Sequence, residues 1–332
     1  MKAIRSHEVG GPETLKLDEI DVPTPGKGEV LVAVKACAIN YPDTLIIRDL
    51  YQFKPPRPFS PGGELAGVVE AVGEGVENFK VGDRVLAGIG NGGLAEKVIV
   101  SAGRMFPIPD GVPFEKAASL LMTYGTTIHG LKDRGHIKEG DTVLILGAAG
   151  GVGLSAVELA KAFGARVIAA VSSEAKGEVA RKAGADDVVI YPREDMDKAA
   201  SKELANKFKA ACGPEGANIV YDIVGGQYSE PALRSIAWEG RFLVVGFPAG
   251  IAKMPLNLTL LKSCDICGVF WGAFTAREPQ KFVEQVKELF ALMKDGKIDP
   301  LVSETFPLER AGDAIAKLEN REAVGKLVVT MD

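Results

Sequence analysis

Thr142-Val143-Leu144-Ile145-Leu146 runs straight into Gly147-Ala148-Ala149-Gly150-Gly151-Val152-Gly153. No other stretch narrows the choice of fold so far. The first part is a continuous, mainly apolar run, as a strand buried on both faces requires. Leu154, Val157, Leu159 and Phe163 then recur at helical spacing, and Gly164 supplies a stop signal. The glycine-rich turn thus lies between a strand and a helix, the context in which such a turn binds a dinucleotide. Gly147 makes the tight turn, Gly150 and Gly151 let the backbone approach a pyrophosphate, and Gly153 allows close helix–sheet packing. The anion would rest on free N–H groups at the helix N-terminus, where the dipole favours it. Gly147, Ala149, Gly150, Gly151, Val152 and Gly153 are the candidate contacts.

The next strand, Arg166–Val171, bears on which dinucleotide. An NAD site carries Asp or Glu about 20 residues after the turn, at the end of the second strand, to grip the ribose 2′-OH. Here Ser172 and Ser173 stand there, with Lys176 one helical turn later. A carboxylate would repel a 2′-phosphate, whereas two hydroxyls and an ammonium would receive it. NADPH is therefore the expected cofactor. The plain alternative for Lys176 is a solvated helix residue.

Strands and helices go on alternating after this unit. Glu174–Lys182 reads as a helix, and 187–190, 219–224 and 242–245 read as strands. That order predicts a doubly wound parallel sheet. The first hundred residues differ. Short apolar runs at 30–34, 65–72, 84–87 and 95–100 are broken by turn signals such as Pro23-Thr24-Pro25-Gly26. They predict a small β-barrel or sandwich. Amphipathic helices are expected at 278–293 and 308–318, and a closing strand at 326–329. The fold class is α/β with a second, β-rich domain, and the 332 residues suit two domains.

Composition removes several function classes. With 39 Lys and Arg against 44 Asp and Glu, the net charge is −5, and no basic excess favours nucleic acid or an anionic membrane. No run is long and apolar enough to span a bilayer, and no apolar leader opens the chain. Four cysteines in a chain this long do not make a disulfide framework, so a reducing, cytoplasmic setting is expected. Three histidines leave little material for a metal site, and Cys264-Asp265-Ile266-Cys267 lies in an extended run where i and i+3 face opposite ways.

Further motifs carry a family resemblance. The chain resembles the medium-chain dehydrogenase/reductase superfamily, and within it the zinc-free quinone oxidoreductases related to zeta-crystallin. The likeness rests on Ala38-Ile39-Asn40-Tyr41-Pro42-Asp43, Pro61-Gly62-Gly63-Glu64-Leu65-Ala66-Gly67 and Val81-Gly82-Asp83-Arg84-Val85. The glycine-rich turn and the ending Val324-Gly325-Lys326-Leu327-Val328-Val329 complete it. The resemblance implies a GroES-like barrel domain formed by 1–122 and 273–332, with a Rossmann domain at 123–272 between its halves, in a homodimer. Where zinc-dependent members carry metal ligands, this chain reads Asn40, Gly63 and Met122, and the structural-zinc cysteines are missing. The resemblance thus implies no zinc.

The same resemblance carries roles to particular residues. Thr126 would face the nicotinamide, and His129 would lie near the cofactor or be a satisfied polar residue under its helix. Tyr191 would lie beside the adenine or the 2′-phosphate. Gly246 and Phe247 would line the nicotinamide. Phe270 and Trp271 would meet the cofactor or pack in the core or dimer. Arg321 would reach the 2′-phosphate or be a surface charge. From the chemistry of hydride transfer, Asn40 is the candidate hydrogen-bond donor to the reduced acceptor or a residue that orients the substrate, with Tyr41 and Tyr51 as a further donor or stacking surface, Tyr51 being equally readable as packing.

The chemistry expected is hydride transfer to a small-molecule acceptor, a quinone or an enone. A quinone needs little beyond a held nicotinamide and a hydrogen bond to the oxyanion. An enoyl reductase would use the same cofactor face. A cofactor-binding structural or RNA-binding protein is the alternative of another class, and the charge of −5 argues against RNA.

Overall fold

The computed structural model describes residues 1–331, and the chain in it divides into two units, Met1–Met122 with the chain from Pro300 onward, and Thr123–Asp299. The first unit begins with a ribbon of β1 (Lys2–Arg5) and β2 (Lys16–Glu19). Then come β3 (Glu29–Ala38), β4 (Glu64–Val72), β5 (Arg84–Gly88), β6 (Lys97–Ser101) and β7 (Met105–Pro107). Valines and alanines alternate with few polar residues along β3, and it is buried on both faces over most of its length. Such a strand can pair along its whole length, and β3 does so. It pairs with β4 along one edge, and with β6 along the first half of the other.

The second unit holds β8 (Thr142–Leu146), β9 (Arg166–Val171), β10 (Asp187–Ile190), β11 (Ala217–Asp222), β12 (Ile236–Val244) and β13 (Asp265–Gly268). All pairings are parallel, in the order β10-β9-β8-β11-β12-β13. This is the doubly wound sheet expected. Val143 to Leu146 are fully buried, which explains the unbroken apolar run. The helix after β8 spans Gly151–Ala162. It ends where Gly164 takes φ +81 while Ala165 N–H reaches back to Ala160 O, a left-handed stop that glycine adopts without strain.

The chain then returns to the first unit with β14 (Val302–Pro307) and β15 (Lys326–Thr330). β15 pairs antiparallel with the second half of β3, Val328 opposite Ala38 and Val329 opposite Cys37. The tail thereby becomes part of the N-terminal sheet, and Leu327 and Val329 join its core with Val34, Ile39 and Leu65. Among the described residues no helix is long and apolar enough to cross a membrane.

Three expectations are corrected. The second unit ends at Asp299, not at 272. The helices Trp271–Arg277 and Pro279–Lys294 are tied to it, Lys281 pairing with Asp133 at 2.9 Å, Lys132 with Glu288 at 2.7 Å, and Trp271 packing edge-on against Phe282. β11 stops at Asp222, two residues early, because that carboxylate takes the N–H groups of Val224 and Gly225 and folds the chain into a loop. β12 begins at Ile236, since the earlier half pairs with Ala217 despite a register shift.

The close approach at Gly153 gives a direct test. A Cβ there would lie 2.2 Å from Gly147 O and 2.7 Å from Ala148 Cα, both backbone atoms that cannot move aside cheaply. Gly153→Ala is expected to lower stability by about 1–3 kcal/mol, as overpacking does. Gly103→Ala, where a Cβ meets nothing within 4 Å, is the control. Equal melting temperatures for the two variants in thermal unfolding would refute the packing role.

Candidate functional site

In the second unit, the turn after β8 is shaped by absent side chains. Gly147 has φ +73, and a Cβ on it would strike Val224 Cγ2 at 2.9 Å. Gly150 is the residue before the helix, and only Gly147 O comes within 4 Å of where its Cβ would be. The space over Gly150 is therefore open. The first N–H groups of the helix, from Gly151 to Gly153, have no i−4 acceptor within it. An open concave face with free N–H donors fits a pyrophosphate.

A cavity beyond the second strand is lined by charges of both signs, Arg193 and Lys207 with Glu194 and Glu203. Ser173 caps the helix Glu174–Lys182, its Oγ accepting from Lys176 N at 3.4 Å, so this hydroxyl is used within the helix. Ser172 instead lines a cavity of about 480 Å³ with Tyr191 and Arg193. Lys176 is half-buried, and its pKa is lowered by that burial and then by the Arg193 guanidinium. The Arg193 charge is thus close enough to be felt by Lys176. Arg193 was missed in the sequence, where nothing local separates it from a surface arginine. Tyr191 is buried, its ring tilted on Tyr228 at 4.7 Å, and Tyr228 donates to Pro192 O at 2.8 Å.

The loop after β11 closes another side of the unit. Asp222 is buried, which raises its pKa, and it accepts from Val224 N, Gly225 N and Ser229 Oγ. Its backbone oxygen receives Val245 N and Gly246 N, which puts Gly246 beside this loop and leaves Phe247 about half exposed. Thr126 is half-buried, while its neighbour Thr127 is buried in a hydroxyl chain, 2.7 Å from Ser155 Oγ and 3.1 Å from Tyr221 OH. That chain joins the Leu121–Ile128 helix to the helix of the glycine-rich turn.

His129 has one ring nitrogen engaged. Its Nδ1 is 2.7 Å from Asp133, its ring stacks on Phe274 at 4.0 Å, and Asp133 also holds Lys281 and Gln285. These contacts favour the reading of a polar residue held under its helix. Phe270 is exposed, and Trp271 packs on Phe282 with its Nε1 buried against Gly125. Trp271 therefore packs in this unit.

In the first unit, the residues around Asn40 form a buried polar cluster. Asn40 Nδ2 donates to Ala38 O at 3.2 Å and to Glu64 Oε1 at 2.9 Å, and its Oδ1 accepts from Lys326 Nζ at 2.6 Å. The donor role expected of Asn40 is thus corrected. Both its donors are engaged internally, so it has none to offer an oxyanion. Met122 N donates to the other Glu64 oxygen at 2.8 Å. Asp43 accepts from Asn40 N and Gly62 N. Tyr41, the first helical residue after Asn40, is half-buried. Burial raises its pKa, and Arg321 opposes that rise, so this guanidinium lies near the phenol. Tyr51 packs on the barrel core, its pKa raised by burial and by the Asp43 charge. Among the described residues no three His, Cys, Asp or Glu side chains are grouped to hold a metal.

Residues 26–110 match the alcohol dehydrogenase GroES-like domain, and residues 151–291 match the zinc-binding dehydrogenase family. A quinone oxidoreductase-like protein 2 homolog of Nematostella vectensis is 36% identical over 332 residues, covering 99% of this chain and 88% of that protein. Human quinone oxidoreductase is 31% identical, with 100% and 98% covered. The chain belongs to the zinc-free quinone oxidoreductase branch of the medium-chain dehydrogenase/reductase superfamily. The crystal structure of an Escherichia coli quinone oxidoreductase complexed with NADPH superposes with a TM-score of 0.90 at 31% identity, covering all of both chains. Membership makes the protein an enzyme, an oxidoreductase of that superfamily.

The branch's Asp43 yields a pH prediction. Burial, the largest cause, pushes its carboxyl up to about 6 from 3.8, against the two backbone N–H groups and Lys326. Between those values the folded chain keeps a proton that the unfolded chain releases. Stability therefore falls as pH rises from about 4 to about 6, by roughly 3 kcal/mol, and the contribution is flat above. Asp43→Asn abolishes this slope. Urea unfolding at pH 4, 5, 6 and 7 checks it, and parallel curves for wild type and variant would contradict it.

Proposed function

We propose that the protein transfers hydride from NADPH to a quinone or a similarly activated carbonyl. The observation carrying this reading is the cation pair Lys176 and Arg193 beside Ser172, where a ribose-gripping carboxylate would otherwise stand. It is supported by the NADPH complex of the E. coli relative. Bound NADPH would supply the hydride. The turn from Gly147 to Gly153, including Ala149 and Val152, would bind the pyrophosphate. Ser172, Lys176, Tyr191 and Arg193 would hold the adenosine end, whereas Arg321, beside Tyr41 in the other unit, is not assigned to it. Thr126, Gly246 and Phe247 would border the nicotinamide.

The acceptor asks little of the chain. A quinone carbonyl is already electrophilic, so reduction takes one hydride and one proton, the latter available from solvent. With Asn40 occupied, Tyr41 is the hydroxyl left to hydrogen-bond the developing oxyanion, and Tyr51 shapes the barrel side as packing. The zinc-dependent ligand positions, Asn40, Gly63 and Met122, offer no thiolate or imidazole, and we infer catalysis without zinc.

The protein is further read as a cytoplasmic homodimer. Its four cysteines are free. In the second unit β13 pairs only with β12, and large apolar side chains such as Leu260 (79% exposed), Trp238 (65%) and Phe270 (56%) stand in solvent. An open edge beside such a surface suits a second copy. Light scattering is expected to give twice the 35.1 kDa chain mass, and a monomer at micromolar concentration would reject the dimer.

Steady-state assays with NADPH and either 1,4-benzoquinone or crotonyl-CoA test the activity. Turnover of the quinone is expected, and turnover of the thioester alone would assign an enoyl reductase instead. Lys176→Glu should weaken NADPH binding by roughly one to two orders of magnitude, the loss of one charge-assisted hydrogen bond. NADH affinity should stay within about threefold, half the energy of one neutral hydrogen bond. Fluorescence titration reads both, and equal losses would discard the 2′-phosphate assignment.

A further inference from the structure

Lys326 is 4% exposed and lies on β15, in the last ten residues of the chain. Its ammonium makes three hydrogen bonds, to Ile39 O at 3.1 Å, Asn40 Oδ1 at 2.6 Å and Glu64 Oε1 at 3.2 Å. Three donors meet three oxygens, so the ammonium is fully used. Its partners are buried too, Glu64 at 1% and Asn40 at 5% exposure.

Stability alone gives a weak reason for this arrangement. Taking an ammonium and a carboxylate out of water costs free energy that their attraction only partly returns, and apolar residues of similar volume often serve a fold as well. What the ions provide is direction. Lys326 grips the backbone oxygen of residue 39 and the side chain of residue 40 together. Glu64 takes Asn40 Nδ2 on one oxygen and Met122 N on the other. Asn40 N is held by Asp43. With its amide and its backbone N–H all bound, Asn40 can adopt one orientation, and it fixes the start of the helix that opens with Tyr41.

We propose that Lys326 is a positioning residue for the acceptor side of the reaction. Its ammonium orients the segment from Ile39 to Tyr41, so that the Tyr41 hydroxyl is presented to the carbonyl being reduced. This rests on the reading that Tyr41 contacts the acceptor. The residue touches neither cofactor nor acceptor and acts through Asn40.

Two variants separate this role from a merely structural one. Lys326→Ala leaves Glu64 as a lone buried carboxylate and removes three carbons with the amine, a gap that propylammonium matches. Lys326→Met with Glu64→Gln removes both charges, keeps side-chain volume and retains an oxygen for Met122 N–H. The double variant is expected to fold and to bind NADPH with unchanged affinity. Its kcat/KM for 1,4-benzoquinone should fall about 10- to 100-fold, the scale of a misplaced reacting group. In Lys326→Ala, hydrogen–deuterium exchange at residues 39–43 should quicken and slow again with propylammonium, which should also restore part of the activity. A folded double variant with wild-type kcat/KM overturns the proposal. So does exchange at 39–43 that ignores both the substitution and the amine. If wild type reduces neither quinone nor thioester, the proposed activity fails, and the exchange experiment, which needs no turnover, still decides whether Lys326 orders this segment.

Discussion

One buried ammonium, held by the Glu64 carboxylate and two amide oxygens, governs the β-rich unit. Lys326 comes from the end of the chain, and Asn40, Asp43 and Glu64 come from its first fifth. β15 must add to β3 in one register for the ammonium to meet Ile39 O and Glu64, and a slip of one residue would turn Lys326 to the opposite face. The ion pair thus fixes the register of a strand that would otherwise pair through interchangeable Leu and Val side chains. The same contacts order the residues around Asn40 and deliver Met122 N to Glu64. Register and loop conformation share one electrostatic origin.

What was legible in the sequence follows from the range of the interactions. The turn from Gly147 to Gly153 could be read because its requirements are local. The left-handed φ of Gly147 and the missing Cβ of Gly153 involve atoms a few residues away. The parallel sheet could be read because burial on both faces leaves unbroken apolar runs such as Val143 to Leu146. Arg193, Asp222 and Lys326 could not be read as functional, since each acquires its role through partners elsewhere in the chain or through a pocket that folding makes. Asp222 did leave a trace, a carboxylate ahead of Gly225-Gly226, and its pull on the loop shortened β11 relative to the apolar pattern.

The overturned donor role of Asn40 and the setting of His129 have one cause. Asn40 and His129 are polar groups in apolar surroundings, and a buried polar group must find partners. His129 found Asp133, held in turn by Lys281 and Gln285, which also draws the helix Pro279–Lys294 into the second unit. The boundary at 299 and the fate of His129 are therefore one observation. Asn40 found Glu64 and Lys326. In both cases the resemblance indicated a polar residue at a sensitive place, while only the hydrogen-bond inventory could say whether any donor remained.

The same hydrogen bonds bear on the proposal that this protein works without zinc. Two of the three positions that carry zinc ligands in the other branch, Asn40 and Met122, here converge on Glu64, and the positive charge facing that carboxylate is a lysine's. A tethered ammonium differs from a divalent ion in what it can do. It can orient amides and carboxylates, but it has no open coordination position with which to polarise a substrate carbonyl. On the proposed reading the acceptor is polarised by hydrogen bonds alone, which suits a quinone better than an unactivated ketone. Lys326 also acts on Asp43, in the opposite sense to burial: burial pushes that carboxyl up to about 6, and the ammonium limits the rise. One lysine thus holds the amide of Asn40 by a hydrogen bond and restrains the titration of Asp43 by its charge.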